Sequence, residues 1–558
     1  MTLTEVLTRI ESLTGEPEPL PRIYAALYQA ALFDSEVETV LKKVARLTGN
    51  TLTVLRRDWT LYCRERQAQE QEVVRHTNGA RRPTSLPLSD YTNALAFIAD
   101  HGEDVRYCYP WNAWLVWTGT HWERDTSGDI MRRAKSTIKR LARQIERMDD
   151  EAKIEALMRH IKSSLSTAKL KAMVESAQSE PGVSVQPDEL DRNPWVLNCA
   201  NCTVDLHTGM SRPHARQDLL TKCLSVGYDP EATCPTWDAF QWRIMGGTIA
   251  DPEAEENLSG AAIENRIKAD TSAQELIAFK QRFIGYTLTG TTTEQCLCFY
   301  YGSGSNGKTT ELETLQAMLG SYALSTPSAT LLVKDTHGEG IPNDIARLRG
   351  ARLVTAVEIG EGRRLNEELV KRLTGHDTLT ARFLREEFFD FQPEFKLIVG
   401  CNHLPPIRGT DHAMWRRIKC IPFNVTIPDA EQNKDLPGHL LAELPGILRW
   451  AVAGCLAWQA EGLRPPVDVL ATTEDYRSVM DVLGRFLEEC CVEQPQARVK
   501  MGVLYDVYKK WCDQGGEYTM TLTAFGTQLE ERGFPKRSSN GIWRLGIGLS
   551  APEEGREA

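Results

Sequence analysis

The octapeptide Gly-Ser-Gly-Ser-Asn-Gly-Lys-Thr at 302–309 fits the pattern G-x4-G-K-[ST], and its neighbours decide what it can become. Before it runs an apolar stretch, Cys-Leu-Cys-Phe-Tyr-Tyr at 296–301, with the character of a buried strand. After it, Leu312, Leu315, Met318 and Leu319 fall on one face of a helix over 310–319. Strand, glycine loop and helix in that order are what a phosphate cradle needs. Glycines let backbone N–H groups close on phosphate, the helix N-terminus adds partial positive charge, the lysine reaches the β/γ-phosphates and the hydroxyl ligates Mg2+. The sequence therefore predicts a nucleoside triphosphate site made by Gly302, Ser303, Gly304, Ser305, Asn306, Gly307, Lys308, Thr309 and Thr310. ATP and Mg2+ are its expected ligands.

At 558 residues the chain is too long for a single hydrophobic core, so several domains are expected. No run approaches the roughly 18 apolar residues of a membrane span. The first residues lack the basic start and apolar centre of a secretory leader. Both predict a cytoplasmic chain with no membrane partner. The 14 cysteines are scattered, several of them in apolar runs (Cys296, Cys298, Cys401, Cys420), which predicts reduced thiols. Cys199 and Cys202 have metal-ligand spacing, but no second close pair accompanies them, so a turn is the expected role. The formal charge of −11 hides segregation: residues 42–82 carry ten Lys/Arg against four Asp/Glu, and residues 131–171 carry twelve against five. Such segments suit phosphate, and suit a solvated helix face equally well.

Four domains are predicted. Residues 1–80 are helical, and 40–57 has a helix–turn–helix rhythm that fits a DNA- or partner-binding unit or an ordinary helical hairpin. A Pro/Gly-marked linker at 76–89 leads into a mixed α/β domain at 81–250. There Trp111, Trp114, Trp117 and Trp122 suggest a hairpin, and 194–209 a strand, a turn and another strand. An acidic stretch at 251–275 opens the ATPase domain, 251–463. Residues 464–558 show helices near 470–490, 500–513 and 521–532 and a basic hairpin over 536–546, the pattern of a winged helix.

Other parts of an ATPase site lie downstream. The apolar run at 351–357 ends in Glu358, where a carboxylate can hold Mg2+ with Thr309 and activate water. A further apolar strand at 397–401 ends in Asn402, an amide suited to sensing the γ-phosphate. Arg416 and Arg417 precede an apolar strand, where a guanidinium can stabilise the transferring phosphoryl group, often of a neighbouring subunit. For Glu358 a solvated strand end, and for one of the two arginines a structural salt bridge, is the plainer alternative.

Taken in order, the phosphate loop, Glu358, Leu-Thr-Gly-His-Asp at 373–377, Asn402 and the Arg416–Arg417 pair resemble the superfamily 3 helicases. The likeness is to the phage and plasmid helicase–primase group that includes the poxvirus helicase–primase. It covers about residues 88–550. Trp-Leu-Val-Trp-Thr-Gly-Thr-His-Trp at 114–122 and Leu-Asn-Cys-Ala-Asn-Cys-Thr-Val-Asp-Leu at 197–206 look like the domain that precedes the ATPase in that group. Position 202 departs from it, since glycine is expected there.

The resemblance implies an α/β fold: a P-loop, AAA+-like core of the superfamily 3 type, a helical or mixed N-terminal region, and a C-terminal winged helix. It implies a ring-forming replicative DNA helicase of a phage, plasmid or integrated element, a hexamer moving 3′→5′ on single-stranded DNA. Lys308, Thr309, Glu358 and Asn402 act in cis, and an arginine reaches in from the next subunit, Arg417 rather than Arg416 by its place directly before the strand. A DNA-tracking hairpin is expected over 379–391, with Arg382 and Arg385 facing phosphate, Phe389 and Phe391 facing the core, and Lys371 as a further contact. Single-stranded and forked DNA, other copies of the chain and a separate primase or other replication proteins are the implied partners.

Two alternatives stay open: a bifunctional helicase–primase, and an ATP-switched DNA-binding initiator that separates no strands. Residues 1–80 contain no Asp-x-Asp pair and no zinc-binding cysteine array, so no primase activity is expected of this polypeptide.

Overall fold

The computed structural model describes residues 20, 23–24, 27, 34–48, 51–60, 62–63, 87–248, 260–333, 343–358, 360, 362–383, 387–407 and 412–550. Two compact units result, residues 1–93 and 94–558. In the first, helix α1 (Asp34–Thr48) carries Val37, Val40, Leu41 and Val44 on one face, and these pack with Leu55 from the helical residues 52–60. The i, i+3, i+4, i+7 spacing makes that apolar stripe. The turn at 49–50 and most of the linker fall outside the described residues.

Helix α2 (Asp90–His101) leads into a three-stranded antiparallel sheet of β1 (Val105–Cys108), β2 (Ala113–Trp117) and β3 (Trp122–Arg124). Trp117 stands opposite Trp122, so the tryptophan-rich segment forms the expected hairpin. The basic stretch that follows is three helices, α3 (Asp129–Leu141), α4 (Glu151–Ser164) and α5 (Thr167–Ala177). On α3, Ile130, Ala134 and Ile138 turn inward against Phe97 and Met173. The cations are thereby left on the outer side.

A second antiparallel sheet joins β4 (Val196–Asn198), β5 (Thr203–Asp205) and β6 (Ser211–Arg212). Its tight turn is closed by Cys199 N–H donating to Cys202 O at 2.8 Å. Asn201 braces it by exchanging two hydrogen bonds with the Tyr228 backbone. Helix α6 (Pro235–Ile244), with proline in its first turn, then precedes the 28-residue helix α7 (Gly260–Thr287). The acidic stretch is therefore helical from residue 260 onward.

The central sheet has five parallel strands in the order β13-β7-β12-β9-β8. They are β7 (Leu297–Tyr301), β8 (Ala323–Ser325), β9 (Leu353–Val357), β12 (Lys396–Cys401) and β13 (Ile418–Pro422). Helix α8 (Lys308–Leu319) follows β7, and α9 (Glu367–Thr374) leads to a small hairpin of β10 (Leu379–Ala381) and β11 (Phe389–Phe391). Alternate residues of β7 enter different cores: Leu297 and Phe299 pack with Val354, Leu397 and Val399, whereas Cys298 and Tyr300 pack with Leu312 and Ile398. A parallel sheet buried on both faces explains why these strands are nearly continuous apolar runs.

The second of those cores does not stop at residue 250. Leu197, Val204, Leu224, Trp237, Phe240 and Ile244 share it with Phe279, Leu315 and Ile447, the last on α10 (Leu444–Glu461). Residues 197–245 and 273–463 are thus one packed body. Beyond α11 (Val467–Met480) a separate core forms from α12 (Val482–Cys490), β14 (Cys491–Lys500), α13 (Met501–Gly515), α14 (Leu522–Glu531), β15 (Lys536–Ser538) and β16 (Ile542–Leu549). Its strands pair antiparallel in the order β14-β16-β15. Among the described residues no single helix is long and apolar enough to cross a bilayer.

Candidate functional site

At two positions the loop between β7 and α8 is shaped by neighbours that leave room only for glycine. A Cβ on Gly302 would lie 2.2 Å from the Phe423 carbonyl oxygen. At Gly307, φ is +83° and a Cβ would lie 2.6 Å from Ile244 Cγ2, so both backbone and space require glycine. Asn306, nearly buried, donates its amide to Phe423 O at 3.2 Å and to Ser303 O, tying the loop to the end of β13. Ile427 N–H donates to Ser305 O at 2.7 Å from beyond that strand.

Lys308 opens α8 with its ammonium drawn back into the loop. It donates to Gly302 O (2.7 Å), Ser303 O (3.1 Å), Asn306 Oδ1 (3.0 Å) and Asn402 Oδ1 (3.2 Å). Burial pushes its pKa down from the ordinary lysine value. A cavity of about 300 Å3 opens above it, walled by residues 304–310 on one side and by Val357, Glu358, Gly400, Cys401 and Asn402 on the other. Three sequence-separated candidates, Lys308, Glu358 and Asn402, therefore line one space. The strand order is the reason: β12 lies between β7 and β9 and all three run parallel, so the residues following them meet at the C-terminal end of the sheet.

Glu358 has an unusual backbone. Its φ is +59°, a left-handed conformation that an L-residue with a Cβ adopts at a cost of about 1–2 kcal/mol. The conformation is held by its N–H to Gly400 O at 3.2 Å and by Ser328 Oγ donating to its carbonyl at 3.0 Å. The carboxylate is left exposed at the cavity wall. With the Thr309 hydroxyl it gives two hard oxygen donors in the same cavity, a donor set that fits Mg2+. The amides and hydroxyls of the loop, the lysine and the start of α8 fit a polyphosphate.

Arg416 and Arg417 lie elsewhere. Ile418 pairs with Leu297 and Pro422 with Tyr301, so both arginines sit at the end of the sheet opposite the phosphate loop, roughly 15 Å away by strand rise. Arg417 is 8% exposed and donates to Ala413 O (2.6 Å) and Gln295 Oε1 (3.2 Å). Arg416 is solvent-exposed and donates to the same Gln295 oxygen at 2.6 Å. The structure gives Arg417 a fixed orientation and Arg416 the freer access.

The hairpin expected before the Asn402 strand is present. Thr380 Oγ1 donates to Asp390 Oδ1 at 2.6 Å across it, and Phe391 is buried while Phe389 is half-buried. Exposed Arg382 lies 4.8 Å over the ring of Phe388, itself 52% exposed. Arg385 falls outside the described residues. Lys371 stands half-buried in the last turn of α9. In the C-terminal body, Arg544 of the basic hairpin turns inward to Phe534 O (3.1 Å) and Gly526 O (2.8 Å), where it serves the fold.

Sequence reasoning missed a buried group beneath the cavity, Lys280, Glu311, Tyr300 and Gln241, whose members lie on four different elements. No spacing rule joins residues so far apart; only the polar character of Glu311 on the inner face of α8 hinted at it.

Comparison with known proteins gives matches on both sides of the central sheet. Residues 94–246 match the family described as D5 N terminal like, and residues 478–544 the family described as Poxvirus D5 protein-like. Protein L207/L206 of Acanthamoeba polyphaga mimivirus, named as a candidate helicase, is 27% identical over 341 residues, 58% of this chain and 33% of that protein. Protein 022R of Frog virus 3, likewise named, is 28% identical over 243 residues, 40% of this chain and 25% of its own length. Protein C962R of African swine fever virus, named as a candidate primase, is 24% identical over 238 residues, 39% of this chain and 25% of that protein. This chain thus spans a quarter to a third of these relatives. The solved apo structure of the NrS-1 C terminal region (305–718) aligns over 82% of this chain and 99% of its own, at 10% identity and a TM-score of 0.43.

Proposed function

This chain is a member of the poxvirus D5-like helicase–primase family, and from that premise we propose that it is an ATP-driven replicative DNA helicase of the superfamily 3 type. The observation that carries the reading is the convergence of Lys308, Glu358 and Asn402 on one cavity, with Arg416 and Arg417 at the far end of the same sheet. In this reading the loop N–H groups and Lys308 bind the ATP phosphates, and Asn402, bonded to Lys308, registers the γ-phosphate. Glu358 orients and deprotonates the attacking water. Thr309 and Glu358 would hold Mg2+, which when bound neutralises charge on the transferring phosphoryl group.

Neither arginine reaches its own chain's phosphate loop, so completion of the site calls for a second copy, and a closed ring, a hexamer, is the proposed assembly. Single-stranded DNA would pass the β10–β11 hairpin, where Arg382 offers a cation and Phe388 an aromatic face. The helix–strand–helix–helix–strand–strand order of residues 482–549 supports a winged helix at the fork.

The test is strand displacement. The full chain with ATP should displace the strand of a 3′-tailed duplex, and Lys308→Ala should abolish both displacement and ATP turnover. A protein that binds DNA and assembles with ATP yet displaces nothing would be an initiator switch instead. The bifunctional alternative has its own assay, primer synthesis de novo on a single-stranded template.

A further inference from the structure

Beneath the candidate ATP cavity lies an ion pair that has no part in the proposed hydrolysis. Lys280 Nζ is 2.6 Å from Glu311 Oε2, and both side chains are 0% exposed. The other carboxylate oxygen of Glu311 accepts the Tyr300 hydroxyl at 3.0 Å. The ammonium also donates to Gln241 Oε1 at 2.7 Å and lies 4.9 Å over the ring of Phe423.

The placement of these groups is specific. Tyr300 is the penultimate residue of β7, two before Gly302; Glu311 is three residues past Lys308, in the first turn of α8. Their hydrogen bond therefore joins the strand entering the phosphate loop to the helix leaving it. Lys280 on α7 and Gln241 on α6 then anchor this joint to two helices outside the sheet. Helix α6 touches the loop a second time: Ile244 Cγ2 and Phe240 Cε2 lie 2.6 and 3.1 Å from where a Cβ on Gly307 would be. These α6 residues belong to the segment matching the D5 N terminal like family.

Stability alone is a weak account of such a pair. Desolvating two charges offsets most of their attraction, and apolar side chains of similar volume often hold a core equally well. What a carboxylate with two fixed partners provides, and a leucine would not, is a defined distance between the two ends of a loop. A bare carboxylate there would also repel phosphates bound at the same helix end, and Lys280 cancels that charge.

We infer that Lys280 and Glu311, with Tyr300 and Gln241, position the phosphate-binding loop, so that α6 and α7 help set nucleotide affinity. The inference rests on the proposed ATP site, and the experiment separates the two. ATP affinity and steady-state turnover are measured on the full chain, with Lys308→Ala as control. A wild-type chain that binds no ATP removes the nucleotide reading and this inference together. Given binding, Lys280→Met/Glu311→Leu should melt within a few degrees of wild type, while KM for ATP rises roughly tenfold and kcat changes less than about threefold. A purely structural role gives the reverse: a lower melting temperature and fewer active molecules, hence a lower apparent kcat at unchanged KM. Tyr300→Phe removes one hydroxyl only, and serves if the double variant does not fold; its KM should rise several-fold. Wild-type KM in either folded variant overturns the inference.

Discussion

At the scale of single residues, Glu358 combines a strained backbone with an exposed carboxylate at the cavity wall. A left-handed glutamate at a cavity wall makes its side chain a reason to look for chemistry there. Glu358→Gln should lower ATP turnover about a hundredfold or more while ATP affinity changes little, read by single-turnover hydrolysis beside equilibrium binding. Glu358→Gly should lose turnover equally, yet melt above Glu358→Gln, because glycine relieves the left-handed penalty by about 0.5–1 kcal/mol net. Equal melting of the two would mean that the conformation carries no strain. A second residue-scale expectation concerns Cys202, whose thiol is held below the ordinary range chiefly by a hydrogen bond from Cys199. Burial instead pushes the Cys223 thiol up. A lowered pKa means more thiolate at neutral pH, so limiting iodoacetamide at pH 7 should modify Cys202 ahead of Cys223, by mass spectrometry of peptides. The preference should shrink as pH rises past the ordinary thiol range, and Cys199→Ala should weaken it.

At the scale of elements, the sequence was legible wherever a local period or turn governs. The runs at 296–301 and 397–401 became β7 and β12 because strands buried on both faces are apolar throughout. The strand–turn–strand over 194–209 followed from residues flanking a two-residue turn, with Asn198 opposite Thr203. Among the strands that escaped are β8 and β14. β8 is three residues at the sheet edge, too short for a pattern. β14 contains Pro495 among charged residues and reads as a loop, and its pairing with β16 does break between Glu493 and Arg498, around that proline. The Lys280–Glu311 pair was invisible because its partners meet only in three dimensions. The basic stretch at 131–171 could be seen but not interpreted, and the structure sorts its charges. Arg132 and Arg133 pair with Asp129, and Arg140 pairs with Asp100. Lys135 and Lys139, one turn apart on α3, and Arg143 just beyond its end are exposed. If this face meets DNA, Lys135→Ala/Lys139→Ala/Arg143→Ala should weaken single-strand binding and reduce the salt slope by about 2, at roughly 0.7 for each phosphate no longer neutralised. ATP turnover without DNA should not change. An unaltered salt dependence would make the face a solvated one.

At the scale of the whole molecule, the polarity of the central sheet bears on the proposed assembly. Strand polarity sends the phosphate loop, Glu358 and Asn402 to one end and Arg416 and Arg417 to the other, and no loop rearrangement within a parallel sheet exchanges ends. A site that needs both therefore needs two copies, arranged head to tail so that each lends an arginine to the next. Mixing experiments read this directly. Lys308→Ala alone and Arg416→Ala/Arg417→Ala alone should each be inactive in DNA-stimulated ATP turnover. Mixed one to one, they should recover roughly a quarter of wild-type activity, since random head-to-tail neighbours join an intact loop to an intact arginine at one interface in four. The single substitutions then divide the pair: the arginine whose loss alone abolishes turnover in the unmixed protein is the one lent across the interface, and the other holds Gln295 and the strand start. Recovery of nothing, or arginine variants that turn over ATP as wild type does at every protein concentration, would leave each chain with a self-sufficient site and remove the ring from the mechanism.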